Sequence, residues 1–174
     1  MSTLKFKNTK DKAASPHVRD FLQGFSIEVM PRTAEKIEDF RAILPSDTRV
    51  SIAHIDGTPI DEMVSTAKRI TDEGFAAMPH VPARLVKDRA TLDLWLKRYA
   101  TEAGARAALV LAGGPKVPAG EFDSSMQLLA TGLFDAHGFA RLHVAGHPEG
   151  NRDIDPDGGN KICLLYTSDA ADEY

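Results

Sequence analysis

Ser26-Ile27-Glu28-Val29-Met30-Pro31 is an apolar, strand-like run that carries one carboxylate, stops at a proline and contains no glycine. A doubly wound nucleotide-binding sheet places a glycine-rich phosphate turn directly after its first strand. With no such turn here, the β/α barrel is the better reading, and in a barrel the chemistry sits at the strand ends. A second stretch, Val144-Ala145-Gly146-His147-Pro148-Glu149-Gly150, has the same character: apolar residues deliver ionisable ones and then meet a proline. Strands and helices alternate between the two, so both motifs are expected to face one pocket. The chain therefore reads as an enzyme candidate.

Working outward, Ser15-Pro16 starts a short helix through Val18, Phe21 and Leu22 that stops at Gly24. Strands are expected at Phe25 to Val29, Arg49 to Ala53, Phe75 to Met78, Ala107 to Leu111 and Ala140 to Ala145. Thr33 is expected to cap a helix bearing Ile37, Phe40, Ile43 and Leu44, closed by Pro45. Ile60, Met63, Val64, Ala67 and Ile70 mark an amphipathic helix ending near Gly74. Leu92, Trp95, Leu96 and Tyr99 mark a longer one over Asp88 to Ala103, and another is expected over Ser124 to Leu133. Trp95 and Tyr99 read as packing residues. The wholly apolar fourth strand suits a buried parallel strand. An eight-stranded barrel takes roughly 250 residues, so the expectation is an α/β fold: a partial TIM-type barrel of about the first five strand–helix units.

The chain has 174 residues with 43% hydrophobic and 26% charged, an ordinary globular balance. A net charge of -4 without a basic block argues against nucleic acid as a partner. No apolar run approaches the roughly 20 residues that span a bilayer. The basic start, Met1 to Lys10, has no apolar stretch behind it and is no secretory signal. A cytoplasmic location is the expectation. The single cysteine, Cys163, excludes an internal disulfide and a cysteine-based zinc site.

Cys163 to Glu173 resembles one reading frame of a transposase-type sequencing adapter. On that reading the natural chain stops at about Lys161 or Ile162, Cys163 carries no functional weight, and the protein is the N-terminal piece of something longer. A short C-terminal helix capped by Ser168 is the competing reading. The expected organisation is an arm and short helix over 1–24, a partial barrel over 25–161, and a non-native tail over 162–174.

The strand ends supply the candidates for chemistry. Glu28 lies among apolar neighbours, where burial would raise its pKa and suit it to general acid work. A structural salt bridge to an arginine is the alternative. His80 follows Met78-Pro79 at the expected end of strand three and reads equally as a site residue or a hydrogen-bonded structural histidine. Gly113-Gly114 permits close backbone approach to a flat or phosphorylated ligand, as would any tight turn. His147, Glu149 and Asn151 cluster after strand five, with Asp157 and Asn160 downstream. Their spacing matches no metal site, so no metal is expected. His54 reads as a loop contact.

Three stretches together resemble the methylenetetrahydrofolate reductase family: Ser26 to Pro31 its first-strand motif, Ala77-Met78-Pro79-His80 its third-strand ending, and Val144 to Gly150 its fifth. The resemblance covers Phe25 to about Asn160, with the three motifs in order. It implies a flavoenzyme on a β/α barrel in which FAD takes hydride from NAD(P)H and passes it to methylenetetrahydrofolate. Glu28 would protonate the folate nitrogen and open the five-membered ring. His80 would contact FAD, and Gly113, Gly114, His147 and Asn151 would lie along it. Asp157 and Asn160 share the spacing of a cofactor-contacting Asp-x-x-Asn pair, and Glu149 falls to the substrate side. The partner implied is a folate-type small molecule, and a homo-oligomer is open to the full-length protein.

Two departures stand out. Where the family often has Leu-Arg-Gly-Asp, this chain reads Leu111-Ala112-Gly113-Gly114, and a threonine expected near the second strand end is Ala53. Loss of a carboxylate beside the flavin removes like-charge repulsion against its reduced anion. The expected consequence is a higher flavin potential and a bias toward forming methylenetetrahydrofolate. The alternatives are a flavin- or pterin-binding barrel protein without turnover, or a barrel enzyme acting on a different substrate.

Overall fold

One face of the sheet packs against helices in the apolar core, and the other carries the site residues, among them the buried Ser51, Met78 and His80. The computed structural model describes residues 16–145. Its strands are β1 (Ser26–Val29), β2 (Arg49–Ile52), β3 (Ala76–Pro82), β4 (Ala107–Leu111) and β5 (Arg141–Val144). They form one parallel sheet in the order β1-β2-β3-β4-β5. A doubly wound sheet reverses its strand order at a switch point, and no reversal occurs among the described strands. The fold is thus α/β with a sequentially ordered parallel sheet, an arrangement compatible with part of a β/α barrel.

Paired residues share a face, and faces alternate along each strand. Val29, Val50, Ile52, Ala77, Val81, Ala108 and Val110 belong to the apolar core. Beyond the short helices α1 (Pro16–Phe21) and α2 (Pro31–Ala34), the core is completed by the helices α3 (Ile60–Asp72) and α4 (Arg89–Thr101). From α3 come Met63, Val64, Ala67 and Ile70, and from α4 Leu92, Leu96 and Tyr99. Each large apolar side chain buried this way contributes roughly 1.5–3 kcal/mol. Asp88 caps α4 by accepting from the Thr91 amide at 2.7 Å. The opposite face carries Glu28, Arg49, Ser51, Met78, His80, Leu109, Leu111, Arg141 and His143, by alternation from the strand register.

Four expectations about local structure are corrected. The segment after β1 is no single helix over 33–45. It forms α2 (Pro31–Ala34) and a 3-10 turn over Phe40–Ala42, leaving Ile43 exposed. The Thr33 hydroxyl is spent within one turn, accepting from the Met30 amide and donating to the Met30 carbonyl, both at 2.9 Å. Distant groups then hold the chain open: the Glu73 carboxylate accepts from the Phe40 amide at 2.8 Å, and Arg69 donates to the carbonyls of Ala34, Ile37 and Glu38. Those partners replace helical hydrogen bonds.

Strand three does not stop at Met78. It runs on through Pro79 and His80 to Pro82, pairing with β2 as far as Pro79 and with β4 from His80 onward. A strand tolerates proline where no ladder bond needs its missing N–H. The helix expected over Ser124 to Leu133 is instead two short ones, α5 (Ser125–Leu129) and α6 (Leu133–Ala136). Thr131 divides them: its hydroxyl donates to the Leu128 carbonyl at 2.6 Å and accepts from the Leu133 amide at 3.2 Å. The apolar β4 is also less buried than its composition implied, because Ala107, Leu109 and Leu111 lie on the uncovered face and are half-buried. No helix among the described residues is long and apolar enough to cross a membrane.

Candidate functional site

Glu28 on β1 and Ser51 on β2 stand level in register, and His80 on β3 lies two residues beyond Met78, the residue level with Ser51. Three adjacent strands therefore deliver a carboxylate, a hydroxyl and an imidazole to one patch of the uncovered face. His80 Nε2 lies 2.7 Å from Ser51 Oγ and 3.3 Å from Glu28 Oε2. Both contacts use the same ring nitrogen. A Ser-His-acid relay needs the two partners on opposite nitrogens, so this trio is no activated serine nucleophile. A carboxylate facing Nε2 favours the tautomer with its proton there, shared between Glu28 and the Ser51 oxygen.

Environment separates the roles. His80 is buried, and burial lowers its pKa, with Glu28 acting in the opposite sense and His54 adding to the lowering. Its imidazole is therefore neutral at pH 7 and hydrogen-bonds without carrying charge. The burial expected of Glu28 is not found: its side chain is 61% exposed. The reason is topological, since β1 alternates between a covered face and an open one, and Glu28 falls on the open one. It is a solvent-reachable carboxylate oriented by a buried imidazole, an arrangement that can exchange protons with a ligand lying on the sheet.

His54 makes a contact within its own loop, as expected, and is buried. Its Nε2 faces the Thr58 carbonyl at 3.0 Å, which fixes the proton on that nitrogen, and its ring lies 5.0 Å from the Trp95 ring. Nδ1 is then a buried acceptor without a hydrogen-bond partner among the described residues. Burial lowers the His54 pKa as well.

The turn after β4 divides the two glycines. Gly113 has φ +96, and a Cβ there would meet the Pro82 side chain at 2.9 Å, so the backbone alone requires glycine. A Cβ at Gly114 would meet nothing within 4 Å, so that position opens on free space. The Arg84 amide donates to the Ala112 carbonyl at 2.8 Å and holds this turn beside the end of β3. His147, Glu149, Asn151, Asp157 and Asn160 lie outside the described residues. No group of three or more His, Cys, Asp or Glu residues among the described ones is placed to hold a metal ion.

No protein-family model matches the chain. The site thus stands on its geometry, which unites Glu28 with His80 and adds Ser51, a residue missed in the sequence reading. The signal for Ser51 was the alternation Arg49-Val50-Ser51-Ile52, which sends Arg49 and Ser51 to one face and the valine and isoleucine to the other. In a strand buried on both faces those polar residues would be out of place.

Proposed function

We propose that the chain belongs to a FAD-dependent oxidoreductase that interconverts methylenetetrahydrofolate and methyltetrahydrofolate, with NAD(P)H as hydride donor, in the cytoplasm. In this reading the sheet is part of a TIM-type barrel whose interior is the uncovered face. The observation that carries the proposal is the contact between Glu28 and His80 at 3.3 Å at the strand ends. It sets a reachable acid beside a neutral imidazole, with Met78, Leu109 and Leu111 on the same face.

The residues fit a flavin. Met78, Leu109 and Leu111 share the face with His80, and Leu109 and Leu111 are half-exposed, a floor suited to a flat ring system. Gly114 leaves that floor unobstructed. His80, Leu109 and the Gly113-Gly114 turn would hold the cofactor, which when bound supplies the hydride transfer between nicotinamide and folate. The chain's own part is proton handling. Glu28 gives a proton to the folate nitrogen as the five-membered ring opens and takes it back in the reverse direction. His80 orients the Glu28 carboxylate through Nε2, and Ser51 orients His80 from the other side. No carboxylate stands at position 114 to disfavour a reduced flavin anion.

The test is a visible absorbance spectrum of the protein expressed from its source gene, loaded with FAD, before and after anaerobic NAD(P)H. A flavin band that bleaches and returns with methylenetetrahydrofolate supports the reading. Glu28→Gln should keep the flavin and lose turnover by at least about a hundredfold, the scale of general acid catalysis. A colourless protein that takes up no FAD would refute it.

A further inference from the structure

At the end of the sheet opposite Glu28, where the strands begin, the described residues form a cavity of about 660 Å³. Three guanidinium-bearing residues line it: Arg49, the first residue of β2; Arg106, immediately before β4; and Arg141, the first residue of β5. The register accounts for the space between them. Arg49 pairs with Ala76 and Arg141 with Ala107, so two alanines stand where larger side chains would fill the gap.

None of these arginines has a carboxylate partner among the described residues, whereas Arg41, Arg69, Arg84 and Arg98 each pair with one. Arg49 donates through Nη2 to the Gly24 carbonyl at 2.8 Å. Arg106 donates through Nη1 to the carbonyls of Ala100 and Ala105, at 3.0 and 2.9 Å. These bonds brace two of the forks and leave their remaining N–H groups over. The Arg141 guanidinium donates no hydrogen bond to any described residue, although its backbone amide donates to the Arg106 carbonyl at 3.2 Å. The wall holds a single carboxylate, Asp47, so the charge of the cavity is positive. A second group registers that field. His143, two residues beyond Arg141 on the same face, has a buried Nε2 without a partner among the described residues, and burial together with Arg49 and Arg141 lowers its pKa.

Three guanidinium groups around one preformed space, with a single carboxylate beside them, make a positive field that favours an anion there. Three guanidinium groups suit a tetrahedral phosphate better than a planar carboxylate, which one or two forks already saturate. The volume lies in the range of small-molecule sites, and Phe75, Ala76, Ala105 and Ala107 supply an apolar wall. We propose that this cavity binds a small phosphorylated molecule, its phosphate oxygens held by Arg49, Arg106 and Arg141 and its body seated against that wall. The proposal does not depend on the flavin reading of the opposite end.

Isothermal titration of the full chain with inorganic pyrophosphate, at ionic strength held constant with sodium chloride, tests it. Saturable binding is expected, weakened about tenfold or more in Arg141→Gln, partly restored in Arg141→Lys and unchanged in His80→Gln. Absence of saturable binding would overturn the proposal, as would binding that survives Arg141→Gln but is lost in His80→Gln, which places the anion at the other end. Citrate binding as tightly as pyrophosphate would overturn the assignment to phosphate. Should Arg141→Gln not fold, the His143 ring resonances of the unaltered chain serve: pyrophosphate should raise the His143 pKa, and an unmoved titration overturns the proposal.

Discussion

Gly120→Ala adds one methyl group to the loop between β4 and α5, and the structure leaves no room for it. A Cβ at position 120 would fall 1.7 Å from the Lys87 carbonyl oxygen and 2.4 Å from its carbon. Carbon atoms make favourable contact at about 3.5 Å, so the loop must retreat by more than an ångström from a rigid backbone. Two hydrogen bonds flank the contact and cannot survive the retreat: the Ala119 amide to the Arg84 carbonyl at 2.9 Å, and the Glu121 amide to the Lys87 carbonyl at 3.0 Å. Losing them costs about 1 kcal/mol each, and residual crowding adds about 1 kcal/mol more. The expected total of about 3 kcal/mol lowers Tm by roughly 6–12 °C for a chain of this size. The Arg84 side chain still holds the loop through the Asp123 carboxylate and the Pro115 carbonyl, at 2.9 and 3.2 Å. The damage should therefore stay local. Thermal unfolding followed by circular dichroism gives the total, and amide hydrogen exchange at Ala119 and Glu121 gives its location. A Tm within about 2 °C of the unaltered chain, with both amides still protected, would show the packing argument to be wrong.

Tyr99 is fully buried and its hydroxyl has no hydrogen-bond partner among the described residues; Tyr99→Phe should therefore stabilise the chain by about 1 kcal/mol in urea denaturation, and a destabilised variant would contradict this reasoning. Arg69→Met removes the guanidinium that lies over the Phe40 ring, and with it the donors to the Ala34, Ile37 and Glu38 carbonyls and to Glu73. It should cost about 2–4 kcal/mol, and helix content that rises in the variant would fit release of the 33–45 segment, while an unchanged urea midpoint would contradict the role. His54, His80 and His143 all have pKa values lowered by burial from the ordinary 6.5. Below about pH 6.5 the unfolded chain binds more protons than the folded one. Stability is thus complete above that pH and is lost as pH falls through the folded values, by up to about 1.4 kcal/mol per pH unit for each excess proton. A urea midpoint that stays constant from about pH 7.5 to 5 would refute this linkage.

Alternation of apolar strands and amphipathic helices was legible from residue patterns, because burial of one helix face is encoded locally at helical spacing. The Met63, Val64, Ala67 and Ile70 stripe of α3 and the Leu92, Leu96 and Tyr99 stripe of α4 lie in the core as their spacing requires. The absence of glycine in Ser26 to Pro31 likewise pointed away from a doubly wound sheet, and the sequential strand order agrees. Glu28 and His80 stood out because ionisable residues in apolar runs are costly without a partner.

Other features depend on residues far apart in the chain. The segment 33–45 carries a helical stripe, yet Arg69 and Glu73, more than thirty positions away, satisfy its backbone and hold it out of a helix. The uncovered face is a product of pairing, since no single strand records which of its sides will meet a helix. That assignment left Glu28 exposed, joined Ser51 to His80, and drew Arg49, Arg106 and Arg141 around one cavity. Local periodicity writes the elements because each residue's preference acts within a few positions. The site required three strands to align, and alignment is a property of the assembled sheet.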